Sequence, residues 1–180
     1  MEIRRRLWHQ ICSLEFRAAE AKGQEPSIAE DDYTTLLPRN VEDEDLVEEE
    51  ISGVSKSSED GWTSMAYQLI RFSGTRAERR MIKGTYRLER RMLESSLRGT
   101  PTPDAAMELE SIYNQLSKTI AEVNEETYRK YLQFANRDIL IHRMATGLAS
   151  LLHWRCFVLF WLRMPRAFRE VVFPLDVRTS

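Results

Sequence analysis

A chain of 180 residues, 42% hydrophobic and 30% charged, has the composition of one globular domain and the length to bury roughly 70% of its unfolded surface. Its 26 basic and 28 acidic residues leave a net charge of -2, which excludes the overall basic field of a stand-alone nucleic-acid binder. Two cysteines, Cys12 and Cys156, with no Cys-x-x-Cys pair, exclude a disulfide scaffold and the common zinc-finger, ribbon and zinc-cluster ligand sets.

Charged residues interrupt the first apolar stretch, so no secretory signal is readable and a reducing compartment is expected. From Arg4 to Ala21, Leu7, Trp8, Ile11, Leu14 and Ala18 recur at spacings of three and four, which predicts a helix with that stripe inward and Trp8 as a core anchor. Gly23 ends it and Pro26 follows. Residues 25–60 then hold thirteen acidic and two basic residues, a charge of -11, while the rest of the chain, with 24 basic and 15 acidic, carries +9. With little hydrophobic period and a Ser- and Gly-rich end, residues 25–61 read as one long acidic connection, partly extended and partly mobile.

Helical spacing returns over Trp62 to Phe72 and is broken at Gly74. A cationic helix with a wet basic face follows from Arg76 to Leu97, carrying Arg79, Arg80, Lys83, Arg87, Arg90 and Arg91. Thr102 as N-cap and Pro103 at the first helical position open another helix. Its stripe of Leu109, Ile112, Tyr113, Leu116, Ile120 and Val123 either continues through Tyr128 and Tyr131 or restarts after Asn124. Asn136 to Arg163 forms the most apolar helix, closed by Pro165, and its hydrophobicity predicts burial on several sides. Its length approaches a membrane span, but His153 and Arg155 at its centre would cost at least ~2.5 to 3.5 kcal/mol there, so a packed core helix and no membrane is the reading. No strand alternation and no internal repeat occur. The fold class is all-α, an irregular multi-helix domain with an acidic connection over 25–61 and a helical remainder over 62–165.

Sites of chemistry are hard to place. His9 precedes Cys12 by three residues and His153 precedes Cys156 by three, so two packed helices could offer two Cys and two His to one zinc. Nothing brings those helices together in the sequence, and two ordinary core pairs are the plainer reading. The carboxylates of Glu42 to Glu50 read as solvated surface. The seven glycines form no phosphate-binding pattern, and no Gly-x-Ser-x-Gly occurs. No catalytic, cofactor or metal residue is assigned. Arg4 to Arg6 and the cationic helix could contact phosphates, but the acidic connection offers compensating charge within the same chain, so intramolecular pairing is expected.

One ordered pattern goes further. Glu2-Ile3-Arg4-Arg5-Arg6-Leu7-Trp8-His9-Gln10-Ile11-Cys12, then Gly23 and Pro26-Ser27-Ile28, then Tyr33-Thr34-Thr35-Leu36-Leu37-Pro38-Arg39-Asn40-Val41-Glu42-Asp43-Glu44-Asp45-Leu46, resembles the fungal-specific transcription factor domain, the middle homology region of the fungal zinc-cluster regulators. His9 stands where a second Trp is usual and Thr34 where an Asp is typical. In this reading Leu36 and Leu37 anchor an extended segment, Pro38 fixes its turn, and Asp43 and Asp45 sit where they can meet arginines.

The resemblance implies a nuclear transcription regulator without enzyme activity, tied to a metabolic or secondary-metabolite pathway. Such proteins usually begin with a six-cysteine cluster, and Met1 here sits almost on the motif, so the expectation is the C-terminal part of a longer regulator that does not read DNA specifically by itself. A homo- or hetero-dimer with related regulators is the expected partner. The alternatives are a helical interaction or dominant-negative module and, behind it, a small-molecule-binding domain or an enzyme with no recognised motif.

Overall fold

A computed structural model describes residues 1–53, 60–96 and 103–163. Among them are five α-helices, α1 (Glu2–Ala21), α2 (Asp43–Ser52), α3 (Ala66–Ser96), α4 (Pro103–Lys130) and α5 (Leu140–Arg163), with short 3-10 turns at Glu30–Asp32 and Leu132–Phe134 and no strand. The all-α expectation is met. Thr102, Pro165, residues 54–59 of the Ser- and Gly-rich stretch, and the side chains of Arg87, Arg91 and Leu109 lie outside what is described, although Pro103 does open its helix.

α1 ends where expected. Lys22 caps it and Gly23 takes φ +67°, a left-handed conformation that glycine adopts without a Cβ penalty. The buried face of α1, however, is not the predicted one. His9, Cys12, Ser13, Phe16 and Ala19 face inward, whereas Ile3, Leu7, Ile11 and Leu14 are exposed and Trp8 is half-buried, its ring edge-on to Tyr33 at 5.3 Å. Both faces carry helical apolar spacing. The inner one wins because Phe16, 0% exposed, enters a cluster with Met81, Ile82, Leu116, Ile120, Cys156 and Phe160, drawn from three other helices. Burying such a ring contributes about 1.5 to 3 kcal/mol.

The acidic connection is not a loop throughout. Asp43–Ser52 forms α2, with Asp43, Glu44 and Asp45 in its first turn, where carboxylates are favoured by the helix dipole. Gly53 closes it, its N–H reaching the Glu49 carbonyl at 2.8 Å. Local charge placement thus makes a helix from a segment with no apolar stripe.

Gly74 does not break a helix either. α3 runs unbroken from Ala66 to Ser96, and Gly74 is where it meets α5 most closely: a Cβ there would lie 2.5 Å from Leu152 Cδ1. The α3–α5 contact is the most extensive in the fold. Ala66, Ala145 and Ala149 help it by keeping the facing side chains short, within a second cluster that includes Met65, Leu69, Ile70, Phe72 and Tyr131. α4 also runs through Asn124 without restarting.

α5 departs from expectation. Its Leu140–Leu162 segment is long and apolar enough to cross a membrane by length and composition, and only 28% of the most apolar window is buried. Ala145, Ala149, Leu152, Cys156 and Phe160 face the core, but burial is confined to that one side. Arg155 is not stranded among the apolar residues: it turns to the junction with α1 and α3, where it meets Glu20.

Candidate functional site

The residues that carry the recognised pattern fold into a clamp holding the start of α1 to the start of α3. Glu2, buried in the first turn of α1, accepts the backbone N–H of Arg39 at 2.8 Å and lies 3.7 Å from Arg5, 3.9 Å from Arg6 and 3.6 Å from the Arg39 guanidinium. Arg39 also donates to Glu49 of α2 at 2.9 Å. That hydrogen bond is the main reason its guanidinium is held above the ordinary arginine range. Arg6 pairs with Asp43 at 2.5 Å.

Asn40, buried next to Val41, donates to the Gly61 carbonyl at 2.9 Å and accepts from the Thr63 hydroxyl at 2.6 Å. The Glu42 carboxylate accepts the Ser64 N–H, 3.0 Å from each oxygen. Apart from the pairs of Glu2 with Arg5 and Arg6 within α1, these contacts join separate segments of the chain, so Arg39-Asn40-Val41-Glu42-Asp43 acts as a splice between helices. Pro38 is buried beside it and Leu37 packs on the second core cluster, while the Leu36 side chain stays exposed.

His9 belongs to the same splice. Its Nε2 lies 3.0 Å from the Leu36 carbonyl oxygen, so that nitrogen carries the proton and donates. The ring sits 5.7 Å from Phe72 and 6.1 Å from Tyr33. Burial lowers its pKa below the ordinary histidine value, opposed by the carbonyl bond and assisted by Arg76. A ring that donates from one edge and packs beside Tyr33 and Phe72 does the work of an aromatic side chain with one polar handle.

A second polar assembly lies where α1, α3 and α5 meet. Arg79, read from the sequence as part of a wet basic face, is buried: it donates to the Cys12 carbonyl at 2.5 Å and to the Ile28 carbonyl, and pairs with Glu15 at 3.1 Å. Glu15 in turn accepts both the N–H and the hydroxyl of Ser27, at 2.5 and 2.9 Å. The Pro26-Ser27-Ile28 part of the pattern is therefore a tether from α1 to α3.

Beside it Glu78 is 0% exposed, with the guanidinium of Arg155 at 3.4 Å and that of Arg17 at 3.9 Å. Neither carboxylate oxygen makes a hydrogen bond. Burial pushes this carboxyl up to about 7, against the pull of Arg17 and with a push from Glu20. Glu2 opens the recognised pattern, although its role was not legible there, and nothing in the sequence singled out Glu78. The one signal was a carboxylate set within helical apolar spacing, Glu78 among Ala77, Met81 and Ile82.

The two His-x-x-Cys pairs are spent on different neighbours. His9 goes to Leu36 and Phe72, and His153 lies edge-on to Trp154 and Phe157, each at 5.4 Å. Burial raises the Cys12 thiol and pushes Cys156 up to about 12, which disfavours the thiolate that metal ligation or nucleophilic attack requires. Among the described residues no group of three or more His, Cys, Asp and Glu side chains is placed to hold a metal ion.

Part of the charge asymmetry is met by short-range pairing. Besides Arg6 with Asp43, Lys83 of α3 meets Asp31 at 3.4 Å and Arg90 meets Glu25 at 3.6 Å. A cleft of about 560 Å³ between residues 25–31 and α3 is lined by Arg79, Arg80 and Lys83 together with Glu25 and Asp31. Arg79 and Lys83 of this cleft already face carboxylates of the same chain.

The chain is 45% identical, over all 180 residues, to the C6 finger domain transcription factor hasF of Aspergillus fumigatus, of which it covers 24%. Over 130 residues, 69% of its length, it is 30% identical to the Pyriculol/pyriculariol biosynthesis cluster transcription factor 1 of Pyricularia oryzae, of which it covers 17%. The chain thus spans about a quarter or less of the curated relatives it matches. No family model matches the sequence, and no solved structure matches it. The chain is thus similar to two fungal transcription factors, one named for a C6 finger domain and the other for a biosynthesis cluster.

Proposed function

We propose that the chain is regulatory-domain sequence of a fungal zinc-cluster transcription factor, corresponding to the C-terminal part of the fungal-specific transcription factor domain. It works in the nucleus on a metabolic or secondary-metabolite pathway. Identity of 45% across all 180 residues to a C6 finger transcription factor carries this reading. The clamp supports it, since the residues of the recognised pattern join α1, α2 and α3 and leave no reactive constellation. Within these residues no Cys-x-x-Cys pair supplies a zinc cluster, and the cationic residues Arg6, Arg79, Lys83 and Arg90 meet carboxylates of the same chain. Sequence-specific DNA binding and catalysis are accordingly not assigned to it.

The test is a tethered reporter. Fused to a heterologous DNA-binding module in a filamentous fungus, the chain should raise or lower transcription from the matching promoter, and the unfused chain should give no gel shift that survives competitor DNA at ~150 mM salt. A fusion that leaves the reporter unchanged, or a sequence-preferring shift by the chain alone, overturns the proposal.

A second reading, an interaction module that occupies a full-length relative, is favoured by the open apolar faces of α1 and α5, because contiguous exposed apolar surface marks a binding site.

A further inference from the structure

Opposite its core side, α5 carries a regular seam. Leu140, Met144, Gly147, Leu151, Trp154 and Val158 are exposed, and they follow one another at intervals of four, three, four, three and four residues. This is the d-to-a alternation of a coiled-coil heptad, sustained over three d–a pairs. The five residues of the seam other than the glycine are 51 to 66% exposed. Arg143, Thr146 and Ser150 lie among them as the more polar exposed positions. The core-facing positions Ala145, Ala149, Leu152 and Cys156 are separate from the seam, so it is not a by-product of packing on α3.

We propose that this face binds a second copy of the chain, α5 against α5 in antiparallel order around a two-fold axis level with Ala149. The seam is complementary to itself in that register. Leu140 faces the partner's Val158, Met144 faces the partner's Trp154, and Gly147 faces the partner's Leu151, so large side chains meet long or small ones and all six positions are filled. An isologous contact requires this kind of self-complementarity. Antiparallel order also sets opposite helix-dipole ends side by side.

The area is adequate. The exposed parts of the seam with Ile141 and Leu162 beside it amount to about four full side chains, which at roughly 150 to 250 Å² each supply about 600 to 1,000 Å² per copy, a range that brackets the ~800 Å² per partner of a standard interface. A bilayer is the less suitable cover, because Arg143 lies exposed alongside the seam and Arg155 is tied to Glu20 and Glu78. The inference gives the interaction reading its surface, and it stands on the geometry of α5 alone.

Sedimentation equilibrium of the full chain, with circular dichroism alongside, tests it. The parent should be a dimer dissociating on dilution, and Trp154→Glu, a change at an exposed position, should keep the helix content while weakening the dimer by roughly 30-fold or more. Under mild oxidation, a mixture of the Leu140→Cys and Val158→Cys chains should form the mixed disulfide, and Leu140→Cys alone should not link to itself. A parent that is monomeric at all concentrations, a Trp154→Glu dimer as tight as the parent's, self-linking of Leu140→Cys, or partition of the parent onto phosphatidylcholine vesicles in place of self-association would each overturn it. None of these readouts depends on the reporter, so the two proposals fail separately.

Discussion

If Gly74 serves close approach and not helix termination, Gly74→Ala tests the distinction in one methyl group. The new Cβ would sit 2.5 Å from Leu152 Cδ1, 3.2 Å from Cγ and 3.3 Å from Cβ. Leu152 is itself buried, so its side chain has little room to turn away. Alanine in a helix interior gains about 1 kcal/mol over glycine, and overpacking of this kind costs typically ~1 to 3 kcal/mol. The net expectation is a loss of ~0 to 2 kcal/mol with no change in helix content. Leu152→Ala alone should cost ~2 to 5 kcal/mol. With that side chain gone the clash is gone too, so adding Gly74→Ala to Leu152→Ala should stabilise by about 1 kcal/mol, a coupling of ~1 to 3 kcal/mol between the two sites. Urea unfolding of the four chains, followed by helical circular dichroism at one protein concentration, measures it. A single Gly74→Ala variant that gains the full ~1 kcal/mol with Leu152 in place, or that shows more helix than the parent, would falsify the close-packing account.

Glu78 holds a proton in the folded chain up to about pH 7, whereas an ordinary glutamate loses it near 4.5. The folded state therefore binds more protons across that window, and stability should fall as pH rises from about 4.5 through 7. Glu78→Gln should flatten that segment of the curve and be more stable above it by up to ~3 kcal/mol; an unaltered slope in pH-dependent melting would refute this. Phe16→Ala should cost ~3 to 5 kcal/mol and the half-buried Trp8→Ala clearly less, an order that chemical denaturation of the two variants would contradict if Trp8 proved the costlier loss. Asp43→Asn, at an exposed pair with Arg6, should cost no more than ~1 kcal/mol at low salt and nothing at high salt; a loss that persists in molar salt would mean that Asp43 has a further role.

Much of the architecture was legible in one dimension, because helix periodicity, capping glycines and prolines act over a few residues. The ends of α1 at Gly23 and the start of α4 at Pro103 are local events, and so is the absence of strand alternation. The acidic segment has little hydrophobic period to mark a helix, whereas the carboxylates of Asp43 to Asp45 favour a helix start through its dipole. The wet reading of Arg79 failed for the opposite reason: a guanidinium can be buried once two carbonyls and a carboxylate surround it, and those partners come from α1 and residue 28. The clamp residues could be picked out by their resemblance to a known pattern, but not their roles, since the bonds from Glu2 to Arg39 and from Asn40 to Thr63 join distant positions.

The sequence by itself determined that the chain is helical and that its charge is divided between an acidic connection and a basic remainder, and its first 46 residues hold an ordered pattern that resembles a regulator domain. Which face of each helix turns inward was decided only in three dimensions. α1 offers Leu7, Ile11 and Leu14 on one side and Cys12, Phe16 and Ala19 on the other, and α5 offers apolar residues nearly all round. Periodicity states that such a face exists, but the choice between two of them depends on what the neighbouring helices present. For α1 that was the cavity between α3, α4 and α5 that Phe16 fills, and for α5 the close approach at Gly74 left a second apolar seam facing outward.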